Sequence, residues 1–333
     1  MPIHLAFRLS RRRAGLAVVA ALALATTALP ATAQQAYPNR PITLVHPYAA
    51  GGSADSLARG LAHQLEQRLG QPVVVTAKPG GAAAIGTSSV ARAAGDGYSL
   101  LLGTSAGHVV TPLMQKVAYD GVEDFAFIAV VANQPNVLIV NPALGIDSFQ
   151  ALVAQIKADP GKFNFASAGT GGATHLGAEA IWQRAGVRLT HVPYAGAAPA
   201  LKDLVGGQVQ IAMLNVSPTL SLIEAGRVKP LAYGGAKRSP LLPDVPTLNE
   251  LGYGGTEVST WYTLAAPKGT PREIVEALSK TLAEINADPA YKKLLSSQAA
   301  EWMDLSPADT TEFVRRDKAA MTKLLGALNL ATQ

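Results

Sequence analysis

The feature that most constrains this chain is a glycine pair, Gly51-Gly52, placed between an apolar run and an amphipathic helix. Leu44 and Val45 suit a buried strand, and leucines recur every four residues over 57–69, as one face of a helix requires. Glycine lets backbone N–H groups approach a ligand closely, and the free amides and dipole of a helix start favour a negative group. The order strand, glycine loop, helix therefore predicts either an anion site or a tight turn that binds nothing.

The same order recurs in the second half of the chain. Residues 163–166 predict a strand, residues 167–172 predict a glycine-rich loop, and a helix begins near Thr174. Elsewhere short apolar runs alternate with helical patterns, which is typical of parallel βαβ units. We therefore predict an α/β fold that carries two anion-suited loops of one kind.

Two places predict crossings between lobes. The turn-rich residues 133–136 separate two apolar strands, 127–131 and 137–140, and we interpret this junction as a crossing into a second lobe. Residues 231–235 would return the chain as the second hinge strand. After a further strand at residues 261–264, we expect the chain to be helical to its end.

Residues 1–33 predict a secretory signal peptide. Four arginines, from Arg8 to Arg13, precede an uncharged run over residues 14–29, and Ala31-Thr32-Ala33 offers a small-residue cleavage site. We expect export, cleavage near Ala33 and a mature protein in the periplasm. Without those four arginines the net charge of +5 becomes +1. The mature chain therefore has no basic cluster that would suggest nucleic acid as a partner.

The composition excludes several kinds of chemistry. Cysteine is absent, which excludes disulfides, thiol catalysis and the acylated cysteine of a lipoprotein. The six histidines are scattered and supply no metal-ligand spacing. Residues 169–174 match only the first glycines of a dinucleotide fingerprint, and no P-loop motif occurs. We therefore expect no cofactor and no metal.

A G-x-S-x-G pattern, Gly103-Thr104-Ser105-Ala106-Gly107, follows an apolar strand, where a hydrolase nucleophile would stand. An exported serine esterase that uses Ser105 is therefore an alternative of another class. Such a fold needs an acid and then a late histidine after the serine, whereas roughly the last 140 residues here, after His191, contain none. We favour Thr104 and Ser105 as hydroxyls that line the same cleft as the glycine loops.

Five further side chains near the loops keep two interpretations each. Asp55 is either a catalytic acid or a first-turn residue that supports the helix dipole and hydrogen-bonds loop amides, and the second role is favoured. His175, near a helix start, is favoured as a capping or packing residue over a metal ligand. Tyr48 and Tyr194 either flank a ligand or cover the edge of the core. Asn215 is either a polar cleft residue or a solvated turn residue.

Several ordered motifs resemble the Bug or TctC family, the extracytoplasmic solute-binding proteins of tripartite tricarboxylate transporters. Residues 48–55, followed by Ala58-Arg59, are similar to the family's first ligand loop, and residues 166–176 look like the second. The remaining matching segments are His191-Val192-Pro193-Tyr194, Pro199-Ala200, Asp203-Leu204, Gly206-Gly207-Gln208-Val209, Lys237-Arg238-Ser239-Pro240 and Asp244-Val245-Pro246-Thr247. The resemblance covers nearly all of the mature chain.

The resemblance implies a two-lobed periplasmic-binding-protein fold, type II like, with two hinge-crossing strands and a ligand cleft between the lobes. Residues 34–132 and 234–333 would form lobe 1, and residues 133–233 would form lobe 2. Amides and hydroxyls of the two glycine loops, rather than an arginine, would hold a carboxylate. The candidate ligand-binding residues are Tyr48, Ala49, Ala50, Gly51, Gly52, Ser53, Asp55, Thr104, Ser105, Ser167, Ala168, Gly169, Thr170, Gly171, Thr174, His175, Tyr194 and Asn215.

The resemblance also implies a function. We expect a receptor, not an enzyme, that captures a small organic carboxylate, acts as a monomer and delivers its ligand to the membrane subunits of a transporter. A receptor that feeds a sensor kinase is the alternative within binding proteins. Leu214 stands where many relatives carry an acidic or polar residue, so an ammonium group would lose an obvious partner. We therefore favour an aromatic carboxylate or a dicarboxylate over an amino acid.

Overall fold

The computed structural model describes residues 37–254, 258–328 and 330. Residues from Arg40 onward belong to one compact unit. The predicted signal peptide, residues 1–33, lies outside the described residues. Among the described residues, no helix has both the length and the apolar character that crossing a bilayer requires.

Strands and helices alternate over most of the chain. The strands are β1 Ile42–His46, β2 Val73–Ala77, β3 Ser99–Gly103, β4 Phe125–Val140, β5 Asn164–Ser167, β6 Thr190–Pro193, β7 Ile211–Asn215, β8 Lys229–Tyr233, β9 Ser259–Pro267 and β10 Glu301–Met303. The helices are α1 Ser53–Leu69, α2 Ala84–Ala91, α3 Thr111–Met114, α4 Phe149–Ala158, α5 Ala173–Ala185, α6 Ala197–Val205, α7 Leu220–Glu224, α8 Arg272–Ala287, α9 Pro289–Ser297 and α10 Pro307–Ala327. A π-helical turn, Ala106–Val110, precedes α3.

The leucine periodicity of the sequence becomes the buried face of α1. Leu57, Leu61 and Leu65 are each at most 3% exposed. The helix ends where Gly70 adopts a left-handed φ of 68°, a conformation that is unfavourable for residues with a Cβ. The predicted order of strand, glycine loop and helix is therefore confirmed for β1, the Gly51-Gly52 loop and α1.

One sheet path runs through the molecule in the order β2-β1-β3-β9-β4-β7-β5-β6, and β8 and β10 pair with β4 off this path. Strands β1, β2 and β3 are parallel, and β5 is parallel to β6 and β7, as the βαβ pattern predicted. Strand β9 is antiparallel to β3 and β4. Strand β10 corrects the expectation that the chain is only helical after β9, because it pairs with the first part of β4.

Strand β4 corrects the prediction of two strands separated at residues 133–136. It runs unbroken for 16 residues. The part up to Pro135 pairs with β9, and the part from Asn136 pairs with β7. Proline has no N–H to donate to a ladder, and Pro135 stands where β4 exchanges one neighbour for another. The turn-like composition therefore marks a change of partners within one strand.

Separate hydrophobic clusters fill the two halves of the molecule. Leu101, Phe127 and Val314 belong to a cluster in the half that contains β1 to β3. Phe149 and Trp182 belong to a cluster in the half that contains β5 to β7, and their rings stack with centroids 6.3 Å apart. The molecule is therefore a two-lobed α/β protein, as predicted.

The two glycine loops meet where the halves face each other. They follow the carboxyl ends of β1 and β5, the edge at which open α/β sheets place their ligands. The Ala49 amide donates a hydrogen bond of 2.7 Å to the carbonyl of Ala195, in the turn before α6. This bond joins the first loop directly to the opposite half.

Candidate functional site

A cavity of about 300 Å³, here called the first cavity, lies between the two halves. The candidate residues that line it are Tyr48, Ala49, Gly52, Ser53, Ala168, Gly169, Thr170, Thr174, Tyr194 and Asn215. The candidates that lie outside its lining are Ala50, Gly51, Asp55, Thr104, Ser105, Ser167, Gly171 and His175. The structure brings both glycine loops to one site, but only one side of each loop faces the cavity.

A third glycine turn, residues 80–83 between β2 and α2, also lines the first cavity and is absent from the predicted site residues. Its signal was a Gly80-Gly81 pair after a strand, the same pattern as Gly51-Gly52. Ala82 and Ala83 have φ values of 52° and 74°, in a region that residues with a Cβ seldom occupy. Among the described residues, no protein acceptor takes the amides of these two alanines.

A polar group on β4, β7 and β9 forms another part of the wall. Asn215 Nδ2 donates to Asn136 Oδ1 at 2.9 Å, and the Thr260 hydroxyl donates to the same oxygen at 3.3 Å. Asn215 and Thr260 both line the cavity, whereas Asn136 is fully buried. Asn215 is therefore a cleft residue fixed by a hydrogen bond. Sequence reasoning missed Thr260 and Tyr262, because β9 reads as an ordinary buried strand.

Among the described residues that line the first cavity, tyrosine is the only ionisable side chain. The Tyr48 hydroxyl lies 2.8 Å from Thr104 Oγ1, and the Tyr194 hydroxyl donates to Asp203 at 2.8 Å. Burial raises the pKa of Tyr48, and burial followed by Asp203 raises the pKa of Tyr194 to about 12. Both tyrosine side chains are therefore neutral near pH 7 and form part of the cavity wall. In the described part of the chain, no group of three His, Cys, Asp or Glu side chains could hold a metal ion.

Four helices begin at this cavity without a side-chain cap. Their N-cap residues, which all line the cavity, are Gly52, Ala83, Gly172 and Gly196. Away from the cavity, α4, α9 and α10 begin with the capping side chains Ser148, Asp288 and Ser306, whereas α3, α7 and α8 begin without one. An uncapped helix start leaves amides for another acceptor, and its dipole adds positive potential. The first cavity is therefore electropositive without a cationic side chain.

Asp55 holds the first glycine loop from behind. Its carboxylate accepts hydrogen bonds from the Gly51 amide and from Arg59, both at 3.1 Å, and lies 3.2 Å from His46 Nε2. Burial acts to raise the pKa of Asp55, but the hydrogen bonds from Arg59 and Gly51 outweigh burial and lower it. Within the described chain, the amides of residues 52–54 donate to no protein acceptor. The first loop therefore keeps consecutive amides for a ligand.

Two histidines hold the second glycine loop, and neither lines the first cavity. The Gly171 amide donates to His175 Nδ1 at 3.1 Å, and His191 Nε2 lies 2.7 Å from Ser167 Oγ. The two rings stack with centroids 3.8 Å apart. Burial lowers the pKa of His175 to about 4, and burial followed by His175 lowers that of His191 to about 3. Both rings are therefore neutral near pH 7 and serve packing and loop support.

The second loop uses most of its amides internally. The Ala168 amide donates to Thr174 Oγ1 and the Gly169 amide to Ser167 Oγ, both at 3.1 Å. In the described chain, the amides near this loop that have no protein acceptor are those of Thr170 and of residues 173–174. The loop therefore meets the cavity with Thr170 and the first turn of α5. Ser167 lies outside the lining of the first cavity, whereas Gly169 lines it, and ligand contact by Gly169 stays a prediction.

The comparisons with known proteins agree with this geometry. The family model described as "Tripartite tricarboxylate transporter family receptor", or TctC, matches residues 57–330. The chain belongs to this family. BugT of Bordetella pertussis is 38% identical to this TctC-family chain over 295 residues, which are 88% of the chain and 90% of BugT.

Two solved structures show the fold of this TctC-family chain. The periplasmic binding protein BugD is 35% identical, with a TM-score of 0.85 over 89% of this chain and 100% of BugD. R. palustris Rpa4515, solved with adipate, is also 35% identical, with a TM-score of 0.86 over 89% of this chain and 99% of Rpa4515. The predicted periplasmic-binding-protein fold is confirmed.

The TctC-family chain shows no serine–histidine pair at the G-x-S-x-G pattern among its described residues. The Ser105 hydroxyl donates to Asp317 at 2.5 Å and lines a different cavity. The His108 ring instead lies 2.8 Å from the Gly121 carbonyl and 3.1 Å from Thr263 Oγ1. The expectation that Thr104 and Ser105 line the same cleft as the glycine loops is therefore corrected. The Thr104 hydroxyl lies within hydrogen-bond distance of the Tyr48 hydroxyl, and the Ser105 hydroxyl donates to Asp317 of α10.

Proposed function

We propose that this TctC-family protein is a non-enzymatic receptor that captures a small organic carboxylate in the first cavity. The observation that carries the proposal is the set of four uncapped helix starts around a cavity whose described lining holds no charged side chain. A carboxylate accepts hydrogen bonds from such amides and is stabilised by the helix dipoles. A cation would meet the same dipoles unfavourably.

We further propose that a dicarboxylate binds more tightly than an aromatic monocarboxylate or an amino acid. Helices α1 and α2 belong to one half, and α5 and α6 to the other, so a second carboxylate finds the same kind of donor as the first. An ammonium group finds no carboxylate in the described lining, and Leu214 is buried in a hydrophobic cluster. The related Rpa4515 was solved with adipate, a dicarboxylate.

The proposal extends to location and partners. The signal peptide would be removed near Ala33, and the protein would act in the periplasm as a monomer that delivers its ligand to the membrane subunits of a tripartite tricarboxylate transporter. The two halves would close on each other about β4 and the start of β9, because Leu248 and Val258 still pack in the hydrophobic cluster of the half that contains β5 to β7. Membership of the TctC family supports the transporter partnership. A receptor that feeds a sensor kinase remains the alternative, and crosslinking in the native membrane distinguishes the two.

Isothermal titration of the purified chain with adipate, benzoate and glutamate tests the ligand class. We expect adipate to bind most tightly and glutamate most weakly. Asn215→Asp keeps the side-chain shape but places a carboxylate in the cavity wall. It should weaken the binding of adipate on the order of a hundredfold, which is about 2.8 kcal/mol. The binding of glutamate should weaken less, because its ammonium group gains a carboxylate partner. Asn249→Asp makes the same charge change at an exposed position and should leave all three affinities unchanged.

Separate outcomes would overturn the separate parts of this proposal. Absence of binding by all three ligands, or an equal loss in Asn215→Asp and Asn249→Asp, would contradict carboxylate capture in the first cavity. Tighter binding of benzoate or glutamate than of adipate would contradict only the dicarboxylate preference. Mass spectrometry of the small molecule that co-purifies with natively exported protein would then identify the natural ligand.

A further inference from the structure

A second cavity, of about 330 Å³, lies on the other side of the second glycine loop. Gly171 lines only the second cavity, Gly172 lines only the first cavity, and Ala173 lines both. Helix α10 contributes the side chains of the facing wall, together with Trp261 of β9. The loop is therefore a partition between two cavities.

The walls of the second cavity are mainly apolar and aromatic. The rings of Trp261 and Phe313 meet edge to face with centroids 5.5 Å apart. Met303, Met321 and Leu324 complete this side. Thioether and aromatic groups of this kind adapt to the apolar body of a ligand.

One acidic side chain, Asp317, lines the same cavity. Its Oδ2 accepts a hydrogen bond of 2.5 Å from Ser105. Among the described residues, no basic side chain forms an ion pair with it, and the adjacent Lys318 lies 3.7 Å from Asp120 instead. Burial raises the pKa of Asp317, and Ser105 and Trp261 act against that rise. A carboxylate has about four acceptor sites, so Asp317 retains capacity for another donor.

We propose that the second cavity binds a small organic ammonium ion with an apolar or aromatic body. The ammonium group donates to Asp317, and the body lies against Trp261, Phe313 and Met321. A carboxylate and an aromatic face both attract a cation, and the attraction is stronger where water is excluded. The same carboxylate repels the anions that suit the first cavity. The two cavities therefore select ligands of opposite charge.

The position of the second cavity also gives its occupant a route to the first. An ammonium ion held by Asp317 of one half would contact Gly171 of the other half, across the cavity. The residue after Gly171 lines the first cavity. Binding in the second cavity therefore supports the arrangement in which the halves are close together.

Titration of the purified full chain with 2-phenylethylammonium at pH 7 tests the proposal. The controls are 2-phenylethanol and phenylacetate, which carry the same body with no charge and with a negative charge. We expect saturable binding of the ammonium ion, on the order of tenfold weaker binding of the alcohol, and still weaker binding of phenylacetate.

Two variants locate the binding. Asp317→Asn keeps the shape of the side chain and should weaken the binding of the ammonium ion on the order of tenfold or more. Asp304→Asn removes the same charge from an exposed residue outside the lining and should change nothing. Met321→Trp fills the cavity without altering Asp317 and should abolish binding. Thermal unfolding shows whether each variant is folded.

Failure of the ammonium ion to bind, or equal binding of the alcohol, overturns the proposal. So does equal affinity of folded Asp317→Asn and Asp304→Asn. Should Asp317→Asn not fold, Met321→Trp decides the question, because retained binding in that variant overturns the proposal and lost binding supports it.

Discussion

The two glycine loops share an order of elements and reach the same cavity, but different chemistry holds them from behind. A charged carboxylate supports the first loop, because Asp55 accepts from the Gly51 amide and from Arg59. Two neutral imidazoles support the second, because His175 accepts from Gly171 and stacks on His191. The two loops therefore share an order of elements, but a charged group supports the first and neutral groups support the second.

The difference extends to the groups that each loop offers a ligand. The first loop keeps the consecutive amides of residues 52–54, whereas the second uses the amides of Ala168 and Gly169 internally and presents Thr170 with the start of α5. We expect the first loop to supply more of the charge stabilisation and the second to depend more on hydroxyl groups. The side chains behind a loop thus decide which of its donors remain available.

The largest expected effect is on the first loop. Asp55→Ala should lower the free energy of unfolding by about 2–4 kcal/mol, because the Gly51 amide and the buried His46 both lose their acceptor. Urea denaturation measures the change. Glu276→Ala breaks an exposed ion pair with Arg272 and should cost less than about 1 kcal/mol. Equal losses in the two variants would contradict a supporting role for Asp55.

The pH dependence of stability should separate the contribution of His175, behind the second loop, from that of Asp55, behind the first. The pKa of His175 falls from 6.5 to about 4 in the folded chain. Below pH 6.5 the unfolded chain takes up protons that the folded chain does not, so stability should fall by about 1–3 kcal/mol down to pH 4. The pKa of Asp55 is lowered from 3.8, so its contribution is present above pH 3.8 and is lost only at lower pH.

Urea denaturation at a series of pH values measures both windows. Burial also lowers the pKa values of His191, His108 and His46, so these three histidines add to the upper window. His175→Asn should reduce the slope of the profile between pH 6.5 and 4 but not abolish it, because the other histidines with lowered pKa values remain. An unchanged profile in this variant would show that His175 does not contribute to the upper window.

A smaller effect should distinguish hydrogen bonding from packing in the second loop. His175→Ala should destabilise the chain by about 1–2 kcal/mol, because the Gly171 amide loses its acceptor. His175→Asn places an amide oxygen near the position of Nδ1 and should recover part of that loss. Thermal unfolding compares the two variants, and equal destabilisation would assign the effect to ring packing alone.

The smallest expected effects concern single hydroxyl groups. Thr170→Val should weaken adipate on the order of tenfold, because the second loop has few amides to compensate. Ser53→Ala should weaken adipate only about threefold, since neighbouring amides of the first loop remain. Isothermal titration measures both changes. A larger loss in Ser53→Ala would reverse the division of roles between the loops.

The sequence predicted the fold well where local rules decide the structure. Leucine spacing, glycine pairs and apolar runs gave the βαβ units, because helix faces and strand lengths depend on nearby residues. The continuity of β4 was missed, since Pro135 and its polar neighbours pair with a strand more than a hundred residues later. Strand β10 was missed for the same reason, because its partner is also β4.

The site was predictable to the level of which loops form it. Gly52, Gly169, Tyr48 and Tyr194 followed from the predicted loops, whereas Gly80, Gly81 and Tyr262 did not. The orientation of Ser105 did not, because its partner Asp317 lies 212 positions away in the sequence. The left-handed Ala82 and Ala83 also gave no signal, since alanine seldom marks such a turn. Long-range partners and backbone strain thus set the part of the site that sequence patterns did not show.

The uncapped helix starts also bear on how long the protein survives in the cell. Bound ligand stabilises the folded state by about 2.7 kcal/mol at a hundredfold excess over Kd. Proteases that act on transiently opened molecules respond to the population of those molecules. A receptor whose helices are completed by its ligand would therefore be degraded faster under starvation, and its abundance would follow the nutrient supply without any change in gene expression.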